Sequence, residues 1–447
     1  DDLGSKHALL GKRDRRKERQ FSPAAREGAT PRGWHPGSVP ISLFRPYTLP
    51  IRALPSIIDV GAEAPLMSHI HVRSLDQADE LASDLAGAAR FALDCEAAGF
   101  HRYSDRLCLL QITVAGRTWV VDPLAFDPAE LIREPLERPD VQVIMHGADF
   151  DLRLLSRDLG IRMRGLVDTQ IQAALIGLDG LGLAALLDAR FGVKLSKKYQ
   201  RADWAERPLT EGMLDYAASD TRHLEQLTDM LAEELEALGR TSWAEEEWLA
   251  LETVADERSE APEPVDPVTR VKGARDLSPR QTTALREALV WRDEIARVRD
   301  RATFRVIGDP PLVEAVALDP KRVEDLMEIK GFPRGLARDE GKNLLGRLRA
   351  VKDMTDDELM PYPKGIRRGP GRPPPELEEL VDKLKGGRNA AAEEVGLPRG
   401  TVLSNAVLIS IARAAPKTRD ELLQIDGVRN WKADVAGERI LAITSRI

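Results

Sequence analysis

Three short β-prone runs lie too close together for any crossover helix to fit between them: Arg90 to Ala97 (RFALDCEA), Leu107 to Val114 (LCLLQITV) and Thr118 to Asp122 (TWVVD). Runs spaced this way pair as an antiparallel meander. Helical and strand patterns then alternate. A helix is expected around Pro128 to Glu137, a strand over Val141 to Met145 and a helix from Phe150 to Asp158. Further helices are expected over Thr169 to Gly177 and Leu181 to Phe191, and Thr210 is placed to cap a long helix reaching Leu235. A meander followed by such elements predicts an α/β domain, a mixed sheet with helices on its faces, over residues 67–255.

Beyond about residue 255 the strand signal stops. Asp256 to Asp276 is charged and contains prolines, as a linker would. Two helical segments follow, 278–353 and 376–447, separated at 361–375 by a basic, proline-rich spacer (PYPKGIRRGPGRPPP). At the other end, residues 1–66 carry a mostly basic run, Lys12 to Arg19, then many prolines and glycines without periodicity, which reads as a disordered tail. The first methionine is Met67, so a native start near it, which would leave this segment outside the protein, is the alternative reading.

Composition narrows the function. At 447 residues the chain exceeds one ordinary core. No uncharged stretch reaches eighteen residues, which argues against a membrane span. Two cysteines cannot build a disulfide framework, so a reducing compartment, the cytoplasm, is expected, with Cys95 and Cys108 as small buried side chains. A net charge of −8 argues against coating nucleic acid by bulk charge, while leaving room for a local grip on a few phosphates.

The chemistry lies in three acidic segments. In Asp94-Cys95-Glu96 the alternation of a strand puts both acids on one face, where they repel unless solvated or neutralised by a cation. In Val143 to Leu155 (VIMHGADFDLRLL) a strand breaks at His146-Gly147 and a helix follows. There Leu152 and Leu155 face the core, which fixes the direction of Asp151 and sends Asp149 elsewhere. In Leu214 to Thr221 (LDYAASDT), Tyr216 and Asp220 are four apart on one helix face, and Ala217-Ala218 permit close approach to a neighbouring backbone. Each segment alone is commonplace.

Together they resemble the DEDD exonuclease superfamily, with its D-x-E, H-x4-D-L and Y-x3-D motifs in this order, over about residues 70–235. Ribonuclease D in particular is suggested by Asp203 to Thr210 (DWAERPLT), together with Leu110-Gln111-Ile112, Val121 to Leu124 and Asp168-Thr169-Gln170. The resemblance implies a ribonuclease H-like mixed-sheet exonuclease domain. It implies that Asp94, Glu96, Asp151 and Asp220 hold two divalent cations, Mg²⁺ or Mn²⁺, hard ions that prefer oxygen ligands. Tyr216 would orient the attacking water and is counted among the catalytic residues. The alternative subtype has a His five residues before the last Asp, where Asp215 stands here, and His223 does not fit. Gln111, His146, Gln170, Lys197, Lys198 and Trp204 are candidate substrate contacts; for His146 support of its turn, and for Trp204 packing, are the competing readings.

The expected activity is 3′→5′ exoribonuclease action releasing nucleoside 5′-monophosphates from RNA with a free 3′ end. Transfer RNA precursors are the implied substrate class. A DNA 3′→5′ exonuclease and a non-catalytic RNA-binding protein are the alternatives. The segment around Leu289 to Arg297 (LVWRDEIAR) and Leu326 to Gly331 (LMEIKG) resembles the helicase-and-RNase-D C-terminal module, a small all-α helical bundle. Leu422 to Gly427 (LLQIDG) matches the second of these, so 376–447 reads as a divergent second copy.

Overall fold

In the computed structural model, residues 69–258, 265–363 and 375–446 are described. The run Lys12 to Arg19 and most of the 361–375 spacer lie outside them. The first part is a six-stranded sheet built from β1 (His69–Val72), β2 (Arg90–Ala97), β3 (Leu107–Val114), β4 (Arg117–Val121), β5 (Gln142–Met145) and β6 (Leu166–Asp168). Its order is β1-β4-β3-β2-β5-β6. The meander β2-β3-β4 is antiparallel, while β1 joins β4 and β5–β6 join β2 in parallel, which makes the sheet mixed. Strands β1 and β6, of four and three residues, were not anticipated; runs so short carry no period for a pattern to show.

Helices cover both faces: α1 (Asp79–Ala86), α2 (Ala129–Glu137), α3 (Asp149–Leu159), α4 (Thr169–Ile176), α5 (Leu183–Phe191), α6 (Glu211–Thr221), α7 (Leu224–Ala237) and α8 (Thr241–Arg258). Alternation along β2 divides the work. Phe91, Leu93 and Cys95 enter the core that contains Leu152 and Leu155 of α3, whereas Ala92 packs with Leu224, Leu227 and Leu231 of α7. Every residue of β3 is buried, as expected of a central strand covered on both sides.

The single long helix expected from Thr210 to Leu235 is two helices. The chain turns at His223 (φ −109°, ψ 4°), so that α6 lies on β3 and β4 while α7 lies on α4. The two stretches bury their apolar stripes against different partners, and one straight helix cannot serve both.

The rest is helical. A first module holds α9 (Pro279–Val298), α10 (Thr303–Val306), α11 (Asp309–Leu318), α12 (Val323–Glu328) and α13 (Arg334–Asp353). A second holds α14 (Pro375–Glu394), α15 (Arg399–Val402), α16 (Asn405–Ala414), α17 (Arg419–Leu423) and α18 (Asn430–Thr444). The linker reading of Asp256 to Asp276 fails at its far end. Val268, Val271 and Ala274 are buried in the first module's core, and Asp266 pairs with Arg286 of α9 at 2.6 Å. Three apolar residues spaced by three among charged neighbours suffice to tie this segment down. Among the described residues no helix is long and apolar enough to cross a membrane.

Candidate active site

Strand β2 carries Asp94 and Glu96 on the face that looks toward α6 and α7, and Cys95 on the other, where it is buried in the core. Gln111 stands directly across from Asp94 in the β2–β3 ladder, which puts the two side chains on the same face. The third acid, Asp220, sits one residue before the end of α6. That end is held to the sheet by Thr221, whose hydroxyl lies 2.8 Å from the Thr113 hydroxyl of β3. The start of α6 is fixed too: Thr210 accepts from the Met213 N–H at 3.3 Å. Just upstream, Arg207 makes two 2.7 Å hydrogen bonds to Asp122 and donates to the carbonyl oxygens of Trp204 and Cys108. The segment 203–209 is thereby clamped onto β3 and β4, and it includes a cis Arg207–Pro208 peptide.

Asp151 comes from the first turn of α3. Asp149 in the same turn faces outward and pairs with Arg153 at 2.6 Å, while Asp151 is buried, as the leucine spacing predicted. The turn that delivers Asp151 depends on two residues. Gly147 has φ +73°, and a Cβ there would also press on the Gln170 amide. Asp168, fully buried, accepts from the Gly147, Ala148 and Gln170 N–H groups at 2.8–3.0 Å, joining the start of α3 to the start of α4. His146 Nδ1 lies 2.9 Å from the Thr169 hydroxyl, so it braces the same turn.

The outcome is convergence. Carboxylate oxygens of Asp94, Glu96 and Asp220 lie within 4.8 Å of one another. Asp151 is near enough that its charge acts on both Asp94 and Glu96. Burial first, then the other acids, raises the carboxyls of Asp94 and Glu96 well above the usual range. Burial pushes Asp151 and Asp220 each up to about 7. None of the four pairs with a basic side chain among the described residues. Burial, followed by Asp220, Glu96 and Asp94, raises the Tyr216 phenol as well, so its hydroxyl keeps its proton and can donate.

Tyr216 is held by Trp204, with ring centroids 5.9 Å apart. Trp204 itself is only 2% exposed, inside a cluster with Met213 and Ala217. Buried in this way it packs against Tyr216, which is the packing alternative that its sequence context had offered beside base stacking. Asp215 points away from the acids to His69 of β1 (3.2 Å), and His223 stacks on Phe191 at 6.4 Å. Neither stands where a catalytic histidine would. Lys197 and Lys198 are exposed on the loop before the Arg207 clamp.

The donor set suits a hard divalent cation: four carboxylates, all oxygen, mutually repelling and without a protein counter-charge. Gln111 adds a second sign. Its amide is buried beside Asp94, and neither its nitrogen nor its oxygen has a hydrogen-bond partner.

Comparison with known proteins places the chain in a family. A 3′-5′ exonuclease family model matches residues 70–236, and the HRDC domain matches 281–348 and again 378–444. The ribonuclease D of Gluconacetobacter diazotrophicus is 32% identical over 358 residues, covering 79% of this chain and 86% of its own. The chain belongs to the ribonuclease D family. A second ribonuclease D, from Pseudomonas paraeruginosa, is 30% identical and covers 78% of this chain and 90% of its own. The crystal structure of Escherichia coli RNase D, an exoribonuclease involved in structured RNA processing, shares the fold. It has a TM-score of 0.63 over 85% of this chain and 99% of that one, at 23% identity. As a ribonuclease D family member the chain is a 3′→5′ exoribonuclease, its ribonuclease H-like domain uses divalent metal, and both helical segments are HRDC modules.

Asp168 and Arg207 escaped the sequence reading as positioning residues. Both stood in segments noted for their resemblance, but nothing in a linear pattern shows that one carboxylate joins two helix starts or that one guanidinium bridges to β4.

Proposed function

We propose that Asp94, Glu96, Asp151 and Asp220 hold two divalent cations, Mg²⁺ or Mn²⁺, and that the site removes nucleoside 5′-monophosphates one at a time from RNA 3′ ends. The observation that carries this reading is the convergence of four acids, Asp151 buried and the other three half-buried, from three distant segments, with no basic side chain among the described residues to neutralise them. Bound there, such cations supply the positive charge that favours an attacking hydroxide and a departing 3′ oxygen in an in-line displacement. The residues do the rest. Tyr216, with its proton retained and its ring fixed by Trp204, donates from its hydroxyl to orient the attacking water. Ala217 and Ala218, fully buried, let α6 approach β3 and bring Asp220 to Asp94 and Glu96. Gln111 has an unpartnered amide beside Asp94 to offer the terminal nucleotide. His146 and Gln170 shape the turn that carries Asp151, and the exposed Lys197 and Lys198 meet backbone phosphates.

Transfer RNA precursors with short 3′ trailers are the substrate class we favour, in the cytoplasm, where the free cysteines stay reduced; burial raises the Cys108 thiol to about 12. A 5′-labelled single-stranded RNA incubated with Mg²⁺ or Mn²⁺ should shorten in single-nucleotide steps and be protected by a 3′-phosphate. Internal fragments would contradict an exonuclease, and equal rates on a matched DNA strand would favour the DNA reading. A tRNA precursor carrying a trailer should stop at the mature 3′ region; degradation through it would remove the substrate assignment.

A further inference from the structure

The loop that follows Glu96 does not stand alone. Residues 99–106 are gripped by the α9–α10 turn of the first HRDC module. Ala302 donates its N–H to the His101 carbonyl at 3.0 Å, and Arg305 Nε donates to the Phe100 carbonyl at 2.7 Å. Tyr103 donates its hydroxyl to Asp293 of α9 at 2.9 Å. Gly99 permits the loop its shape, since a Cβ there would collide with the Asp105 carboxylate that receives its N–H. The module is thus bonded to the strand connection that leaves the acids.

What it brings there is chemically specific. Phe304 of α10 lies 5.7 Å, centroid to centroid, from Phe100. Both rings, with Phe150 of α3, line a cavity of about 510 Å³ whose wall includes Glu96. The three phenylalanines are 53%, 44% and 42% exposed, an unusual concentration of uncovered aromatic surface at the edge of an acidic site. Beside it is a smaller cavity of about 250 Å³, lined by Arg102, Arg299, Arg301 and Arg305 with Asp203 and Asp300. The acids there are already engaged: Asp203 by Arg102 at 2.9 Å, and Asp300 by Arg106 at 3.1 Å. Arg299 reaches Glu340 at 3.3 Å. Arg301 and Arg305 have no carboxylate partner among the described residues, and Arg305 lies over the Phe100 ring at 4.6 Å. An aromatic strip that leads from an acidic centre to guanidinium groups with no carboxylate partner fits single-stranded nucleic acid, whose bases stack and whose phosphates need cations.

We propose that the α9–α10 turn of the first HRDC module forms part of the RNA path, with Phe304 stacking a base upstream of the scissile linkage and Arg301 and Arg305 taking the adjoining phosphates. This rests on the exonuclease reading above and extends it beyond the exonuclease domain. The continuity of the strip with Glu96 favours the RNA strand over a protein ligand.

The test compares two substrates on the full-length chain: a 5′-labelled 12-nucleotide RNA, and the p-nitrophenyl ester of thymidine 5′-monophosphate, which spans only the scissile linkage. For Phe304→Ala, kcat/KM on the RNA should fall at least about fivefold further than on the ester, mostly through KM, with Phe304→Tyr restoring it. For Arg301→Gln, log kcat/KM on the RNA should lose about 0.7 of its slope against log salt. Equal losses on both substrates would assign the residues a merely structural role and overturn the proposal, as would RNA kinetics unchanged in all three variants. A wild-type chain inactive on both substrates with Mg²⁺ and Mn²⁺ would instead bring down the exonuclease reading, and the proposal with it.

Discussion

Four carboxylates held together at a half-buried site store repulsion that a cation relieves, and this sets what single substitutions should do. Asp94→Ala or Asp151→Asn removes a ligand for the metal and should lower kcat by about 10³-fold or more, since each 1.4 kcal/mol is tenfold and metal assistance is worth several. Binding of a 12-nucleotide RNA, measured by fluorescence anisotropy, should survive. Wild-type turnover in either variant would remove the site assignment. Tyr216→Phe keeps the ring on Trp204 and loses only the hydroxyl, so a fall of roughly 10²-fold in kcat is expected with little change in melting temperature. The pH response follows from proton counts. Asp151 and Asp220 are raised to about 7 in the fold, against roughly 3.9 in an unfolded chain, so the folded state binds more protons between those values. Their contribution to metal-free stability is present in full below about pH 4 and is lost as pH climbs through about 7. Calorimetry without metal should show the melting temperature falling across that window, and added Mg²⁺ should raise it more at pH 8 than at pH 6. The five residues of the proposed site could be picked out because each motif's internal spacing is local. For Trp204 the sequence left packing and base stacking open, because its burial depends on the fit of α6, which no local pattern carries.

Between residue and domain, the helices position the chemistry. Helix α6 is pinned at both ends, by Thr210 at its start and by the Thr221–Thr113 contact at its finish, with the Asp122–Arg207 clamp just upstream. Thr113→Val would leave the Thr221 hydroxyl buried with one partner fewer, at a cost of about 1–3 kcal/mol, and the melting temperature should drop accordingly. Because Thr221 adjoins Asp220, kcat should fall as well; an unchanged kcat would show that the contact does not position the acid. Most helices and the long strands were readable from apolar period, although α1 and α8 were not anticipated. The missed strands, β1 and β6, are short and form only because β4 and β5 offer open edges. The break at His223 was hidden for a related reason: α6 and α7 each look helical, and only their different partners force the turn.

At the scale of the molecule, an acidic chain with net charge −8 works on a polyanion by confining cationic character to small places. One such place is the arginine pocket between the loop after β2 and the first HRDC module; at the proposed metal site, bound divalent cations would balance the four acids. Domain order was legible because the strand signal stops and the LMEIKG and LLQIDG segments echo each other, whereas the joining of HRDC and exonuclease surfaces was not, since Phe304 and Phe100 are 204 positions apart in sequence. The most direct test of the whole account is the anomalous scattering of crystals grown at neutral pH with Mn²⁺. Two peaks are predicted, both within coordination distance of oxygens from Asp94, Glu96, Asp151 and Asp220. Crystals whose only manganese lies elsewhere, with these carboxylates turned to basic side chains, would contradict it.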